Sequence, residues 1–168
     1  MSLRTGHDLL LAQLRELYSA ERQITRALPK LAAASFNGEL SQALLIHLAE
    51  TEGQVSRLER IFEVLGVSRK AERSKSMAAL LADGVDTVRQ QGRFAVIDAA
   101  LIADAQRVEH YEIAAYGSAK ALADLLGFAD VATLLNQSLA QEIAAAQKLT
   151  EIANHEVNRE AVAFDVAA

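Results

Sequence analysis

The sequence predicts an all-α chain in which four long helices form a bundle of two antiparallel hairpins. Three observations predict it. Apolar residues recur at helical spacing over four stretches of roughly 25 residues or more. Hydrophobic residues make up 51% of the 168, with three tyrosines, five phenylalanines and one proline, a composition that suits helices. No strand-like alternation or short tandem repeat competes with the helical period. A single domain over residues 1–168 is long enough to bury a proper core.

The first helix is expected over about residues 8–34, with Leu10, Leu14, Leu17, Ile24, Leu28 and Leu31 on one face. Pro29 should kink it near its end, because proline removes a hydrogen bond and clashes one turn back. Asn37-Gly38 should stop it. A second helix, about 39–65, is lined by Leu40, Leu44, Leu58, Ile61, Phe62 and Leu65 and closes at Gly66. The polar segment VSRKAERSK follows, in which Arg69, Lys70, Glu72, Arg73 and Lys75 read as a solvated loop, and then a shorter helix, SMAALLADGVDTVRQ, ending near Gly92. The third long helix runs from about Ala95 to Leu125 and ends at Gly127. The fourth starts near Asp130 as its N-cap and continues past Ile152, with residues 158–168 fraying. Short connections force antiparallel neighbours, whereas a link of roughly 30 residues with its own helix permits a parallel return. The pattern is the ferritin-like version of a four-helix bundle, with a short extra helix in the crossover between helices 2 and 3.

Charge and chemistry narrow the function. The net charge of −5 lacks the electrostatic footprint of a general nucleic-acid binder. With no cysteine, disulfides, thiolate metal sites and thiol nucleophiles are excluded, so any metal must be held by Glu, Asp or His. The opening MSLRTGHD has no secretory apolar region and no apolar run reaches membrane-spanning length, so a cytoplasmic protein without membrane contact is expected.

Within the apolar stripes stand charges that a bundle core should not contain. In AQRVEHYEIAAYG, a turn of about 100° per residue places Ile102, Ala105, Glu112, Ile113 and Tyr116 within roughly 60° of Glu109. Glu21 sits likewise among Leu10, Leu14, Leu17, Ile24 and Leu28, and Glu142 among Leu135, Ala145, Ala146 and Leu149. On the second helix His47 and Gln54 face inward and Glu50 lies at the margin. Glu21 lies 16 residues before Asn37 and Glu50 13 after it; Glu109 lies 18 before Gly127 and Glu142 15 after it. At about 1.5 Å per residue the partners in each hairpin differ by roughly 5 Å in height, bringing one carboxylate per helix to a common level. Unpaired carboxylates gathered in an apolar core must take up protons or hold cations. A pair of divalent metals meets that need, and oxygen ligands with an occasional imidazole suit iron or manganese. His110 borders the stripe and is expected on its flank or behind a ligand. Tyr18 and Tyr111 read as packing residues.

The stretches LYSAERQITRALPKLA, LSQALLIHLAETEGQV, DAALIADAQRVEHYEIAAYG and LLNQSLAQEIAAAQKLTEIA resemble the YciE/YciF family of ferritin-like bacterial stress proteins, from about residue 8 to 160. The resemblance implies a helical bundle, usually a homodimer, related to di-iron carboxylate proteins. Apolar Leu48 and Val55 on the far side of the second helix also suggest a partner chain. One departure stands out. Better-understood di-metal bundles carry Glu-x-x-His on two helices, but Gly53 follows Glu50 and Ala145 follows Glu142 at that spacing. Either Glu112, Gln54 or His47 completes a carboxylate-rich site, or the fold has kept its glutamates and lost strong metal binding. The candidate ligands are thus Glu21, Glu50, Glu109, Glu112, Glu142, Gln54, His47 and His110, for two iron or manganese ions per chain. A small-molecule oxidant such as dioxygen or peroxide would be the reaction partner. The alternative is a non-catalytic dimeric stress protein.

Overall fold

In the computed structural model, which describes residues 3–163, Thr5 opens the first helix by a capping box: Asp8 N donates to Thr5 Oγ1 and Thr5 N to Asp8 Oδ2, both at 3.0 Å. This helix, α1 (Gly6–Ala34), continues as helix past Pro29 and gives way at Ser35, whose backbone is extended. Asn37 therefore does not terminate α1. It caps the next helix, α2 (Gly38–Val64), by accepting a hydrogen bond from Leu40 N at 2.9 Å. Val67 N donates to Phe62 O and Gly66 N to Glu63 O, closing α2 on Gly66 with φ of +64°, a conformation that suits glycine. Ser74 caps α3 (Lys75–Thr87), which buries Met77 and sets Gly84 so close to α1 that a Cβ added there would lie 3.6 Å from Leu31 Cδ2.

The second hairpin comprises α4 (Phe94–Leu125) and α5 (Ala129–Ile152), joined through Gly127 at φ +79°. Asp130, expected as the N-cap, lies inside the first turn of α5, and Phe128 holds the cap position without a side-chain bond. An acid in the first turn still complements the helix dipole. Beyond Ile152 the chain does not fray at once. A π-helical turn, Ala153–Val157, leads to α6 (Asn158–Val162), which packs on α4, while the expectation for 164–168 falls outside the described residues.

The described residues are helical or in connections, without strands. Helices pair α1 with α2 and α4 with α5, and the hairpins meet through α2 with α5 and α1 with α4, so each long helix touches two others. The short α3 lies against α1 and α4. Their apolar faces form two cores. One, near the α1–α2 turn, includes Ile24, Leu28, Leu40, Leu44, Leu101, Leu149 and Ile152. The other, towards the opposite ends of the same helices, includes Leu10, Leu14, Leu58, Phe62, Tyr116 and Leu135. Between them along all four helices lies a polar layer. No described helix is long and apolar enough to cross a membrane.

Candidate metal centre

Each long helix contributes to the polar layer at the point where its residues pass from one core to the other. Glu21 comes from α1, His47, Thr51 and Gln54 from α2, Glu109 and Glu112 from α4, and Glu142 from α5, all buried. The spacing explains α2: positions 47, 51 and 54 recur at one helical turn and share the inward face. Thr51 satisfies its hydroxyl within the helix, donating to the His47 carbonyl at 2.8 Å.

Ligand-type atoms of His47, Glu109, Glu112 and Glu142 all lie within 4.8 Å of one another. His47 Nε2 stands 3.4 Å from Glu109 Oε1 and 3.8 Å from Glu142 Oε2, and its Nδ1 lies 3.7 Å from Glu50 Oε2. Neither ring nitrogen makes a hydrogen bond. Glu21 lies on the other flank, beside Glu112 and held by the hydroxyl of Tyr116, which donates to Glu21 Oε1. Gln54 Nε2 donates to Glu142 Oε1. Even so, Glu21 Oε2, Glu109 Oε2, Glu142 Oε2 and both oxygens of Glu112 are buried without a hydrogen-bond donor. Buried polar atoms normally find partners, so this concentration of acceptors at one level is unusual.

The electrostatics follow from that crowding. Burial pushes Glu21 up to about 7, against the opposing pull of Tyr116 and His47. Burial likewise raises Glu109 to about 8 and Glu142 to about 7, with His47 opposing and the neighbouring acids adding to the rise. Glu112 is raised well above the carboxylate range by burial and by Glu21, Glu142 and Glu109. For His47 burial works against the charged ring, but Glu109, Glu50 and Glu142 prevail and push it up to about 9. Without a cation the chain must hold protons here; a divalent ion would let the oxygens ionise and give each a partner. The donor set, carboxylate oxygens with one imidazole, is one that a divalent metal ion accepts.

The structure thus brings together Glu21, His47, Gln54, Glu109, Glu112 and Glu142. Glu50 stands at the edge, its side chain 33% exposed and directed to His47. His110 is not in the layer. It is exposed on α4, with Nδ1 2.8 Å from the Gln106 carbonyl, because one residue after Glu109 the helix has turned its side chain away. Tyr18 and Tyr111 bond to Glu59 and Glu16 rather than to the layer. Tyr116 is the contributor that pattern reading counted only as apolar. Its phenol lies four residues after Glu112 on the same face, and a buried phenol needs a partner, which is the signal that was present.

A cavity of about 390 Å³ opens between α2 and α5 and ends on the layer, with Leu44, Ala145 and Leu149 on its walls and His47, Glu50 and Glu109 at its inner end.

Comparison with known proteins places these features in a family. Residues 5–162 match the family described as a domain of unknown function, DUF892. Protein YciF of Escherichia coli is 43% identical over 163 residues, covering 96% of this chain and 98% of YciF. The crystal structure of that stress protein superposes with a TM-score of 0.90 at 42% identity, over 93% of this chain and 99% of the other. A Rhodopseudomonas palustris protein described as structural gives 0.86 at 42% identity, covering 89% and 95%. A Xanthomonas campestris protein shares the fold, with a TM-score of 0.73 at 20% identity over 96% of this chain and 99% of the other. By sequence and by structure, the chain belongs to the DUF892 family, with E. coli YciF among its relatives.

Proposed function

We propose that this chain is a ferritin-like stress protein whose four-helix bundle holds a pair of iron or manganese ions in its polar layer. The observation that carries the reading is the set of buried, donor-less oxygens contributed by α1, α4 and α5 around the unbonded ring of His47. His47, Glu109, Glu112 and Glu142 would hold the metals, with Glu21 and Glu50 reaching them from either flank. When bound, such metals supply redox chemistry towards dioxygen, peroxide or ferrous iron. The chain's own residues have separate tasks. Gln54 orients Glu142 and Tyr116 orients Glu21, as outer partners of metal-binding carboxylates do. The two apolar cores exclude bulk water above and below the layer. Two chains per assembly and a cytoplasmic location belong to the same reading.

A second reading, a non-catalytic stress or structural protein, is supported by Gly53 and Ala145 at the positions where Glu-x-x-His bundles carry histidine. His47 answers this in part, since it precedes Glu50 by three residues and offers an imidazole in reversed order. Metal analysis of protein purified without chelators separates the two. About two iron or manganese ions per chain supports the first; metal-free protein that cannot be loaded anaerobically with ferrous or manganous ion would leave the second.

A further inference from the structure

Ala145 lines the cavity between α2 and α5, three residues after Glu142, so that the space a Glu-x-x-His imidazole would take is open. Ala43 and Ala144 widen it further, and Leu44 and Leu149 complete an apolar wall. Its inner end is polar. His47 and Glu109 are both buried and both line it, with the two ring nitrogens and Glu109 Oε2 unbonded. At the rim Lys148 bonds to Glu39 across the two helices, so the entrance pairs its own charges.

We propose that this cavity is a binding pocket for a small uncharged organic molecule with an apolar body and one hydroxyl head, of the phenol or alcohol class. Its purpose rests on the metal-centre reading; its existence rests on the cavity alone. The volume of about 390 Å³ falls within the range of small-molecule pockets. Apolar walls favour an apolar body, and a hydroxyl can donate to Glu109 while accepting from His47. A carboxylate head would find the His47 ring already faced by the carboxyls of Glu50, Glu109 and Glu142. An ammonium head would face His47 and compete with metal for the same acids. The neutral head is the one that the inner end accepts in the metal-free chain, where neither His47 nor Glu109 holds an ion.

The test titrates phenol into the full-length protein by calorimetry, with butyrate and butylamine as charged-head probes, and follows the His47 ring resonances by NMR in the metal-free form. Phenol should bind saturably and shift the His47 signals, and both charged probes should bind at least tenfold more weakly. Ala145→Leu, which fills the cavity without removing a proposed ligand, should weaken phenol by roughly tenfold or more while metal content stays at the wild-type level. Ala144→Leu at a more exposed wall position should act in the same direction if Ala145→Leu fails to fold. Absence of saturable binding, unshifted His47 resonances, charged probes that bind as well as phenol, or undiminished affinity in the folded variants would overturn the pocket. Metal content reads the other proposal separately: phenol bound by a chain that takes no metal sinks the metal centre and leaves the pocket, and the reverse result does the opposite.

Discussion

Glu142 is the residue at which metal binding and structure can be told apart. It accepts from Gln54, faces His47 and lies among Glu109, Glu112 and Glu21. In metal-loaded protein Glu142→Ala should weaken binding and lower the melting temperature, because a ligand bound only by the folded state stabilises by about 2.7 kcal/mol at a hundred times its Kd. In chelator-treated protein the same change should leave stability unchanged or raise it, since relief of repulsion among buried acids offsets the packing lost and the stranded Gln54. Thermal unfolding of both proteins with chelator and with anaerobic ferrous iron checks the reversal; equal destabilisation in both would make Glu142 structural. Tyr116→Phe should behave otherwise. It strands Glu21 Oε1 without a donor, so metal-free protein should lose roughly 1–3 kcal/mol in urea unfolding. At this scale the sequence was legible wherever phase alone decided the outcome. Glu21, Glu109 and Glu142 stood inside apolar stripes on a helical projection, and the structure buries all three. Phase could not say what each atom bonds to: the Tyr116 hydroxyl and the exposure of His110 depend on what the neighbouring helices place opposite them.

The helices themselves are legible to within a few residues because Gly38, Gly66, Gly92 and Gly127 punctuate them, and the shortfalls lie at the caps and at Pro29, which does not end α1. Asn37, a stop signal by sequence, caps the start of α2, and Asp130, a cap signal by sequence, is a first-turn acid of α5. Local sequence offers several polar residues near each end, and tertiary contacts choose among them. Asp98 is the clearest case. Buried on α4, it accepts from Ser35 Oγ at 3.2 Å, Phe36 N at 3.1 Å and Asn37 N at 2.6 Å, and so fixes the turn between α1 and α2 from a third helix. No helical pattern relates position 98 to positions 35–37, so this anchor was unreadable in the sequence. Asp98→Ala should leave two turn amides without their acceptor and cost roughly 2–3 kcal/mol in chemical denaturation. Metal content should not change, since Asp98 lies outside the polar layer. Loss of metal in a folded Asp98→Ala protein would mean that the turn sets the register of α1 against α2 at the site.

At the scale of the whole molecule, the expected pairing of chains has to be argued from different residues than the sequence suggested. Leu48 and Val55 are partly buried against the cores, whereas Leu45 and Ile46 on α2 and the stacked pair Phe36 and Phe94, with ring centroids 3.9 Å apart, remain exposed. Light scattering at micromolar concentration should give twice the 18.1 kDa mass of one chain. The polar layer also gives the molecule a global signature in pH. In metal-free protein Glu21, Glu109 and Glu142 have folded values of about 7, 8 and 7, all above the ordinary 4.5, and Glu112 is raised in the same direction. Between 4.5 and those values the folded chain holds protons that the unfolded chain has released. Each such proton makes stability fall as pH rises. His47, raised from 6.5 to about 9, acts with the same sign over its own window, its contribution complete below 6.5 and lost as pH rises towards 9. Glu50, Tyr116 and Tyr111 also act on these residues, Glu50 on His47, Tyr116 on Glu21 and Tyr111 on Glu112. Stability of the metal-free protein should therefore be higher at pH 5 than at pH 8, opposite to the usual behaviour of acids paired in the native state. Metal should reverse the trend, because it displaces those protons and binds more tightly as pH rises. Urea midpoints measured from pH 5 to 8 with chelator and with manganous ion check both slopes; parallel curves would show that no cation replaces the protons in the layer.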